Sequence, residues 1–219
     1  MTDYRNACGY QINRKRVSRL MGELGLRAIY PGPKLSAPGK DSKKHPYLLR
    51  DLKVLRPNQV WSTDITYIRM PEGFVELTAV IDWYNRYVLS WRLLSTLDSS
   101  CCIEALEEAL GQGKPEILNT DQGVQYTSDR FITALETRQI RVSMDGKGRA
   151  FDNVFVKRLW RTMKDEEVYL RAYEGVPELK RSLKEYFIFY NEVRPHQNLG
   201  YKTPEKIDRE VLGIKEEVY

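Results

Sequence analysis

Two aspartates have the surroundings that a chemically active carboxylate requires. Asp64 lies in the middle of an apolar stretch that alternates as a β-strand does, and a carboxylate there is costly to bury unless it is ion-paired or bound to a metal. Asp121 ends the short apolar run 117–120 and precedes a turn that contains Gly123. Such a strand suits a site at the carboxyl edge of a sheet. We therefore expect the two carboxylates to lie on adjacent strands, within a few ångströms of each other.

A helix is predicted over residues 152–164, downstream of both aspartates. Asp152 can serve as its N-cap. An apolar stripe along one side is formed by Phe155, Val156, Leu159, Trp160 and Met163. The opposite side carries Asn153, Lys157, Arg161 and Lys164. These residues share a face because they follow one another at helical spacing, so the helix has one polar and mostly cationic side.

These residues resemble the catalytic core of insertion-sequence transposases of the open-reading-frame-B type, a core similar to that of retroviral integrases. The segments that carry the resemblance are 61–68, 117–126 and 152–164. It extends over about residues 11–207, and its linked motifs make it specific. The resemblance implies an Asp-Asp-Glu triad, of which Asp64 and Asp121 match the first two members. The third position holds Lys157 where the family has Glu, and the residues around it fix this register.

The resemblance implies metal-dependent DNA cleavage and strand transfer, with two Mg²⁺ or Mn²⁺ ions clamping the attacking and leaving oxygens. Asp64 would bridge the ions, Asp121 would hold one, and a Glu at position 157 would hold the other. Lys157 has no oxygen ligand and its ammonium repels a divalent cation, so we expect catalysis by this copy to be impaired. Lys157 could instead form an ion pair with Asp64 or Asp121. The acidic residues 165–167 are too far along the helix to replace the missing carboxylate.

The predicted elements follow an order that fits an α/β fold. Short turns join the first three strands, which favours an antiparallel meander, and helices then alternate with two further strands. Strands are expected at 60–70, 74–82, 86–94, 116–120 and 140–144, and helices near 100–110, 128–138, 152–164 and 177–190. The order matches a ribonuclease H-like mixed sheet, with three antiparallel strands plus two further strands, flanked by helices.

Four regions are expected along the chain. They are a partial helix-turn-helix segment at 1–27, a linker rich in Pro and Gly at 28–57, the core at 58–170 and a C-terminal helical segment at 171–219. In the first region, a basic helix over 13–24 resembles the end of the family's helix-turn-helix segment. Its candidate DNA-binding residues are Arg14, Lys15, Arg16 and Arg19. A solvated helix that packs on a neighbour is the open alternative.

Only one helix fits between Met1 and the linker, whereas a helix-turn-helix needs at least two. We therefore expect the chain to be truncated at its start, or to be the downstream part of a longer product.

Three further cations are candidates for contact with DNA. Lys147 lies in the segment 145–149, which has the composition of a flexible loop, and Arg161 and Lys164 lie beyond position 157 on the same helix face. A solvated loop and a solvated helix face are the alternatives. His196 is expected to order a turn and not to act in catalysis, because no nucleophile pattern accompanies it.

Composition is compatible with a DNA partner. The 219 residues carry a formal net charge of +5, which favours a polyanionic partner only weakly. The three cysteines lack metal-ligand spacing and are expected to be reduced thiols. No apolar run is long enough to span a bilayer. We expect DNA (element ends and target) as the partner, self-association on DNA, no membrane, and a place in the bacterial cytoplasm at the nucleoid.

Two other functions stay open. The first is a non-catalytic DNA-binding remnant or regulator derived from a transposase, which a metal-dependent strand-transfer assay would distinguish. The second is a plain ribonuclease H-type nuclease, which an RNA–DNA hybrid substrate would distinguish. The nuclease is disfavoured because the basic helix and the segment 194–196 belong to the transposase pattern.

Overall fold

The computed structural model describes residues 9, 11, 13–24, 45–94, 100–146 and 153–213. They belong to two compact units, Met1–Ala37 and Pro38–Tyr219. In the first unit, helix α1 (Arg14–Glu23) begins where the sequence predicts, because the Asn13 side chain accepts a hydrogen bond of 2.9 Å from the Arg16 amide. Val17 of this helix is buried. Its exposed cations are Arg14, Lys15, Arg16 and Arg19.

The second unit is built on a five-stranded sheet. Its strands are β1 (Val60–Met70), β2 (Gly73–Asp82), β3 (Val88–Leu94), β4 (Ile117–Thr120) and β5 (Arg141–Met144). They lie in the order β3-β2-β1-β4-β5. The first three strands pair antiparallel, whereas β4 runs parallel to β1 and β5 runs parallel to β4. The predicted mixed sheet, with three antiparallel strands plus two further strands, is confirmed.

Helices cover both faces of this sheet. Those that the structure describes in the second unit are α2 (Ser100–Leu110), α3 (Asp129–Glu136), α4 (Val154–Glu166), α5 (Val176–Ile188) and α6 (Pro204–Leu212). A π-helical turn, Phe189–Val193, follows α5, and single 3₁₀ turns lie at Val168–Leu170 and Gln197–Leu199. Within the described ranges, no helix combines the length and apolar character needed to cross a membrane.

Strand β3 begins two residues later than predicted because the turn before it is not extended. Arg86 in this turn has φ 65°, in the left-handed region that residues other than Gly, Asn and Asp rarely occupy. The predicted strand at 86–94 therefore starts only at Val88.

Side chains of β1 alternate between two apolar cores. Trp61 and Ile65 belong to the core beneath α2 and α3, while Ile68 and Met70 belong to the core beneath α4 and α5. Since successive strand side chains point to opposite faces, Asp64 lies on the face that α4 covers. Burial of the two apolar faces thus also decides which helix meets this carboxylate.

Asp82, another carboxylate near this sheet, has a structural role. Its Oδ2 accepts hydrogen bonds from the Asn58 amide at 2.6 Å and from Trp61 Nε1 at 3.0 Å, and its Oδ1 accepts one from the Tyr84 amide at 2.6 Å. Burial raises the pKa of Asp82, and these hydrogen bonds oppose the shift. Because its oxygens hold the turn after β2, Asp82 is not available as a ligand for the site described next.

Candidate active site

Asp64 and Asp121 lie level with each other on neighbouring strands. In the parallel pair of β1 and β4, Ser62 stands opposite Asn119. Two residues further along each strand are Asp64 and Asp121, the latter one residue beyond the end of β4. This position at the carboxyl edge of the sheet is the one that the sequence predicts.

The electrostatics of Asp64 are dominated by its burial and by the neighbouring charge of Asp121. Burial raises the pKa of Asp64 to about 7, and the negative charge of Asp121 adds to the shift. A hydrogen bond from the Ile65 backbone, the charge of Lys157 and the indole of Trp160 act in the opposite direction. Two neighbouring carboxylates that raise a pKa in this way form a natural site for a cation.

Gly123 holds the Asp121 side chain in place. Its amide donates a hydrogen bond of 2.8 Å to Asp121 Oδ1. A Cβ atom at position 123 would lie only 2.8 Å from the same oxygen, so a larger residue would push the carboxylate out of its position. Glycine at this position therefore leaves room for the Asp121 carboxylate.

Lys157 lies one turn into α4 and pairs with a carboxylate that we did not predict. Its Nζ is 4.0 Å from Asp145 Oδ2, and the Asp145 side chain is 7% exposed, compared with 41% for Lys157. Asn119 Nδ2 donates to Asp145 Oδ1 at 2.8 Å. The sequence left open an ion pair of Lys157 with Asp64 or Asp121; the structure pairs it with Asp145 instead, while Lys157 acts on Asp64 through its charge.

Asp145 was missed because its segment has the composition of a flexible loop. It directly follows β5, and the parallel register of Thr120 with Met144 places it level with Asp121. Asp64, Asp121 and Asp145 therefore stand in a row across three strands. The pattern of a short apolar strand that ends on a carboxylate, which identified Asp121, occurs again at 140–145 and could have identified Asp145.

Asn153, at the start of α4, adds an uncharged group next to the aspartates. It is fully buried, and its Nδ2 donates to the backbone oxygen of Thr63 at 3.2 Å. Its Oδ1 is buried without a hydrogen-bond partner in the part of the chain that the structure describes. Asn153 occupies the N-cap position of α4 but makes no side-chain cap bond. The predicted cap, Asp152, lies outside the described residues.

The acidic residues at the end of α4, predicted to lie too far along the helix to complete the site, form contacts elsewhere. Glu166 accepts hydrogen bonds from Arg194 Nε at 2.8 Å and from Tyr186 Oη at 2.9 Å. Glu167 is buried, and its Oε1 accepts a hydrogen bond from Tyr173 Oη at 3.1 Å. Among the described residues, no group of three or more His, Cys, Asp or Glu side chains is placed to hold a metal ion.

The predicted DNA-contacting residues of α4 lie on its outer side. Arg161 is 85% exposed and lies 3.6 Å from Asp165, an exposed pair that contributes little to stability. Lys164 is partly buried, and burial lowers its pKa. Lys147 lies outside the described residues.

Comparison with protein families identifies the region that contains these residues. Residues 55–150 and residues 138–204 each match a family described as integrase core domain. Residues 1–34 match one described as HTH-like domain.

Two bacterial transposases are similar along most of the chain. Transposase InsK of insertion sequence element IS150 from Escherichia coli is 35% identical over 201 residues, which cover 90% of this chain and 71% of that protein. The transposase of insertion sequence element IS904 from Lactococcus lactis is 30% identical over 208 residues, 92% of this chain and 82% of that protein.

Solved structures with the same fold are retroviral integrase cores. The HTLV-2 integrase catalytic core domain in complex with magnesium has a TM-score of 0.59 at 23% identity, and the match covers 71% of this chain and 99% of that one. The BIV integrase core has a TM-score of 0.57 at 15% identity, over 72% of this chain and 99% of that one. The predicted ribonuclease H-like fold, which these cores share, is confirmed.

Proposed function

We propose that Lys157 impairs catalysis by this chain, which belongs to the insertion-sequence transposases with an integrase core. Members of this family are polynucleotidyl transferases that act in DNA transposition. We infer that the chain binds DNA and one divalent cation, and that Lys157 impairs DNA cleavage and strand transfer. The observation that carries this inference is the Lys157 ammonium, which pairs with Asp145 and acts on the Asp64 carboxyl group.

Asp64 and Asp121 fit a single divalent cation. Burial and mutual repulsion raise the pKa of Asp64 to about 7, so the two carboxyl groups lie close together without full compensation of their charge. Mg²⁺ is commonly bound by one or two carboxylates and keeps several waters, and the similar HTLV-2 integrase core was solved with magnesium. A Mg²⁺ or Mn²⁺ ion held there would stabilise charge on the phosphodiester oxygens.

A second cation does not fit the same residues. At the third position of the triad, Lys157 offers no oxygen, and its positive charge opposes a second ion. Asn153 Oδ1 is the buried oxygen next to it, but it is a neutral amide. The buried Asp145 holds the Lys157 ammonium at the edge of the sheet, so this cation stays close to the carboxylates. We expect the loss of a direct metal ligand to weaken binding of the second ion by more than the ~10–100-fold known for changes to groups that only support ligands.

DNA binding is proposed to use cations on two parts of the chain. On α4 these are Arg161 and Lys164, and Lys147 precedes the same helix. In the segment that matches an HTH-like domain, they are Arg14, Lys15, Arg16 and Arg19. We propose the regions 1–27, 28–57, 58–170 and 171–219 as the functional divisions of the chain, and self-association on DNA.

Restoring the carboxylate tests the proposal directly. Strand transfer of the element's ends would be measured with the unmodified protein, with Lys157→Glu and with Lys157→Gln, at increasing Mg²⁺ or Mn²⁺ concentration. We expect little or no product from the unmodified protein and clear product from Lys157→Glu. Lys157→Gln removes the positive charge without supplying a strong ligand, so it should improve binding of the first ion but not strand transfer.

Two results would contradict the proposal. Strong Mg²⁺-dependent strand transfer by the unmodified protein, abolished by Asp121→Asn, would mean that another residue completes the site. An inactive Lys157→Glu protein that binds DNA normally would favour the alternative of a DNA-binding remnant or regulator, in which the damage is not confined to position 157.

A further inference from the structure

A cationic cavity of about 440 Å³ lies against α4, whose residues Phe155, Arg158, Leu159 and Thr162 line it. Three arginines line it: Arg86 from the turn between β2 and β3, Arg158 from α4, and Arg194 from the segment after the π-helical turn. Gln197 and Asn198 line it as well. None of the described residues around this cavity is an aspartate or glutamate.

Only one of the three guanidinium groups has a carboxylate partner among the described residues. Arg194 binds Glu166 through two nitrogens, with Nε–Oε2 at 2.8 Å and Nη2–Oε1 at 2.6 Å. Arg86 lies over the Phe155 ring, with its Cζ 3.4 Å from the centroid. Its Nη1 is buried and has no hydrogen-bond partner in the described ranges. Arg158 is exposed and forms no hydrogen bond or ion pair there.

Holding these cations together is unfavourable in the absence of an anion. Burial lowers the pKa of Arg86 to about 10, and the charge of Arg158 adds to this shift, while Tyr190 and Asp82 oppose it. His196, also at the cavity, has its pKa lowered to about 4, first by burial and then by Arg194. Arg86 also has the left-handed backbone described above. Groups with a perturbed pKa and residues with an unusual backbone conformation are both concentrated at binding sites.

We propose that this cavity binds a phosphate group of DNA, with Arg86 and Arg158 as its charged ligands. Guanidinium groups match phosphate oxygens with paired N–H donors, and the amides of Gln197 and Asn198 can add neutral donors. Arg158 belongs to α4, the helix whose other cations, Arg161 and Lys164, are proposed to bind DNA, so this cavity would hold a phosphate of DNA that lies along α4. The proposal rests on the DNA binding of the proposed function but requires neither the metal nor catalysis.

Inorganic phosphate tests the site without DNA. Thermal unfolding would be followed in EDTA at increasing phosphate, against chloride at matched ionic strength. We expect phosphate to raise the Tm by about 3–6 °C at roughly ten times its Kd. Arg158→Ala should remove most of this shift, and Arg86→Gln should reduce it. Arg130→Ala, which removes an exposed arginine of α3 on the other face of the sheet, should keep it. No specific shift in the unmodified protein would overturn the proposal.

A DNA-binding arm identifies the source of the phosphate. Affinity for a duplex would be measured by fluorescence anisotropy in EDTA across several salt concentrations. Arg158→Ala should weaken binding by about 10-fold and lower the salt slope by about 0.9, as for one lost phosphate contact. A phosphate shift that depends on Arg158, combined with unchanged DNA affinity, would overturn the assignment to DNA and indicate a site for free phosphate. If Arg158→Ala and Arg86→Gln weaken duplex binding no more than Arg130→Ala does, the assignment to DNA is also overturned. Strand-transfer activity tests the role of Lys157, whereas phosphate and duplex binding test this cavity.

Discussion

Lys157 Nζ lies 4.0 Å from Asp145 Oδ2, so the cation at the proposed third position of the triad is held by a carboxylate that directly follows strand β5. The pair joins α4 to the edge of the sheet where Asp64 and Asp121 lie. Asp145 itself is positioned by Asn119 of β4. If Lys157 opposes a metal ion as proposed, its pairing with Asp145 limits that opposition.

Asp145→Asn should make the site less able to bind a metal ion. The change leaves the Lys157 charge uncompensated, and loss of about 1 kcal/mol of pairing corresponds to about 5-fold weaker Mg²⁺ binding, which isothermal titration can measure. In the Lys157→Gln background, the same change should have little effect, since no ammonium remains to be compensated. Equal losses in both backgrounds would show that Asp145 is itself a metal ligand, because the two effects would then be independent.

Asp64→Asn should stabilise the protein at neutral and alkaline pH in EDTA. Because folding raises the pKa of Asp64 to about 7, its protonated form favours the folded state. This contribution is complete below the unfolded pKa, about 4, and is lost as the pH rises through about 7. The neutral amide carries no such penalty, so the variant should be more stable by about 2–4 kcal/mol at pH 8 and nearly equal to the unmodified protein near pH 4.

Urea unfolding at several pH values would measure this difference. Asp165→Asn, which removes an exposed carboxylate of α4, is the matched control and should show little change between pH 5 and 8. A stability gain from Asp64→Asn that is the same at pH 4 and pH 8 would contradict the link to the ionisation of Asp64.

The sequence predicts the sheet well because its strongest patterns are local. The strand β1 occupies the predicted residues 60–70, since its alternating side chains separate two apolar cores. The pairing of Asp64 with Asp121 also follows from patterns along the chain. The partner of Lys157 does not, because Asp145 becomes its neighbour only when β5 pairs with β4. The left-handed backbone of Arg86 and its buried guanidinium are likewise consequences of tertiary packing, and no composition or spacing signals them.

Replacing both Arg161 and Lys164 by Ala should weaken DNA binding without preference for any sequence. Both side chains extend from α4 beyond Lys157 on the face proposed to meet the phosphate backbone, and the exposed contact of Arg161 with Asp165 is too weak to keep it from a phosphate. The loss of two phosphate contacts should lower the slope of log K against log salt by up to about 1.8.

The matched control is the double change of Arg130 and Arg138 to Ala, which removes the same charge from the α3 region on the other face of the sheet. Fluorescence anisotropy with two unrelated duplexes would give affinities and slopes for both variants. If the two double variants lose affinity equally, net charge accounts for the effect and α4 has no specific contact with DNA. If only the α4 variant loses affinity, and does so equally on both duplexes, its cations position the phosphate backbone and do not read the bases.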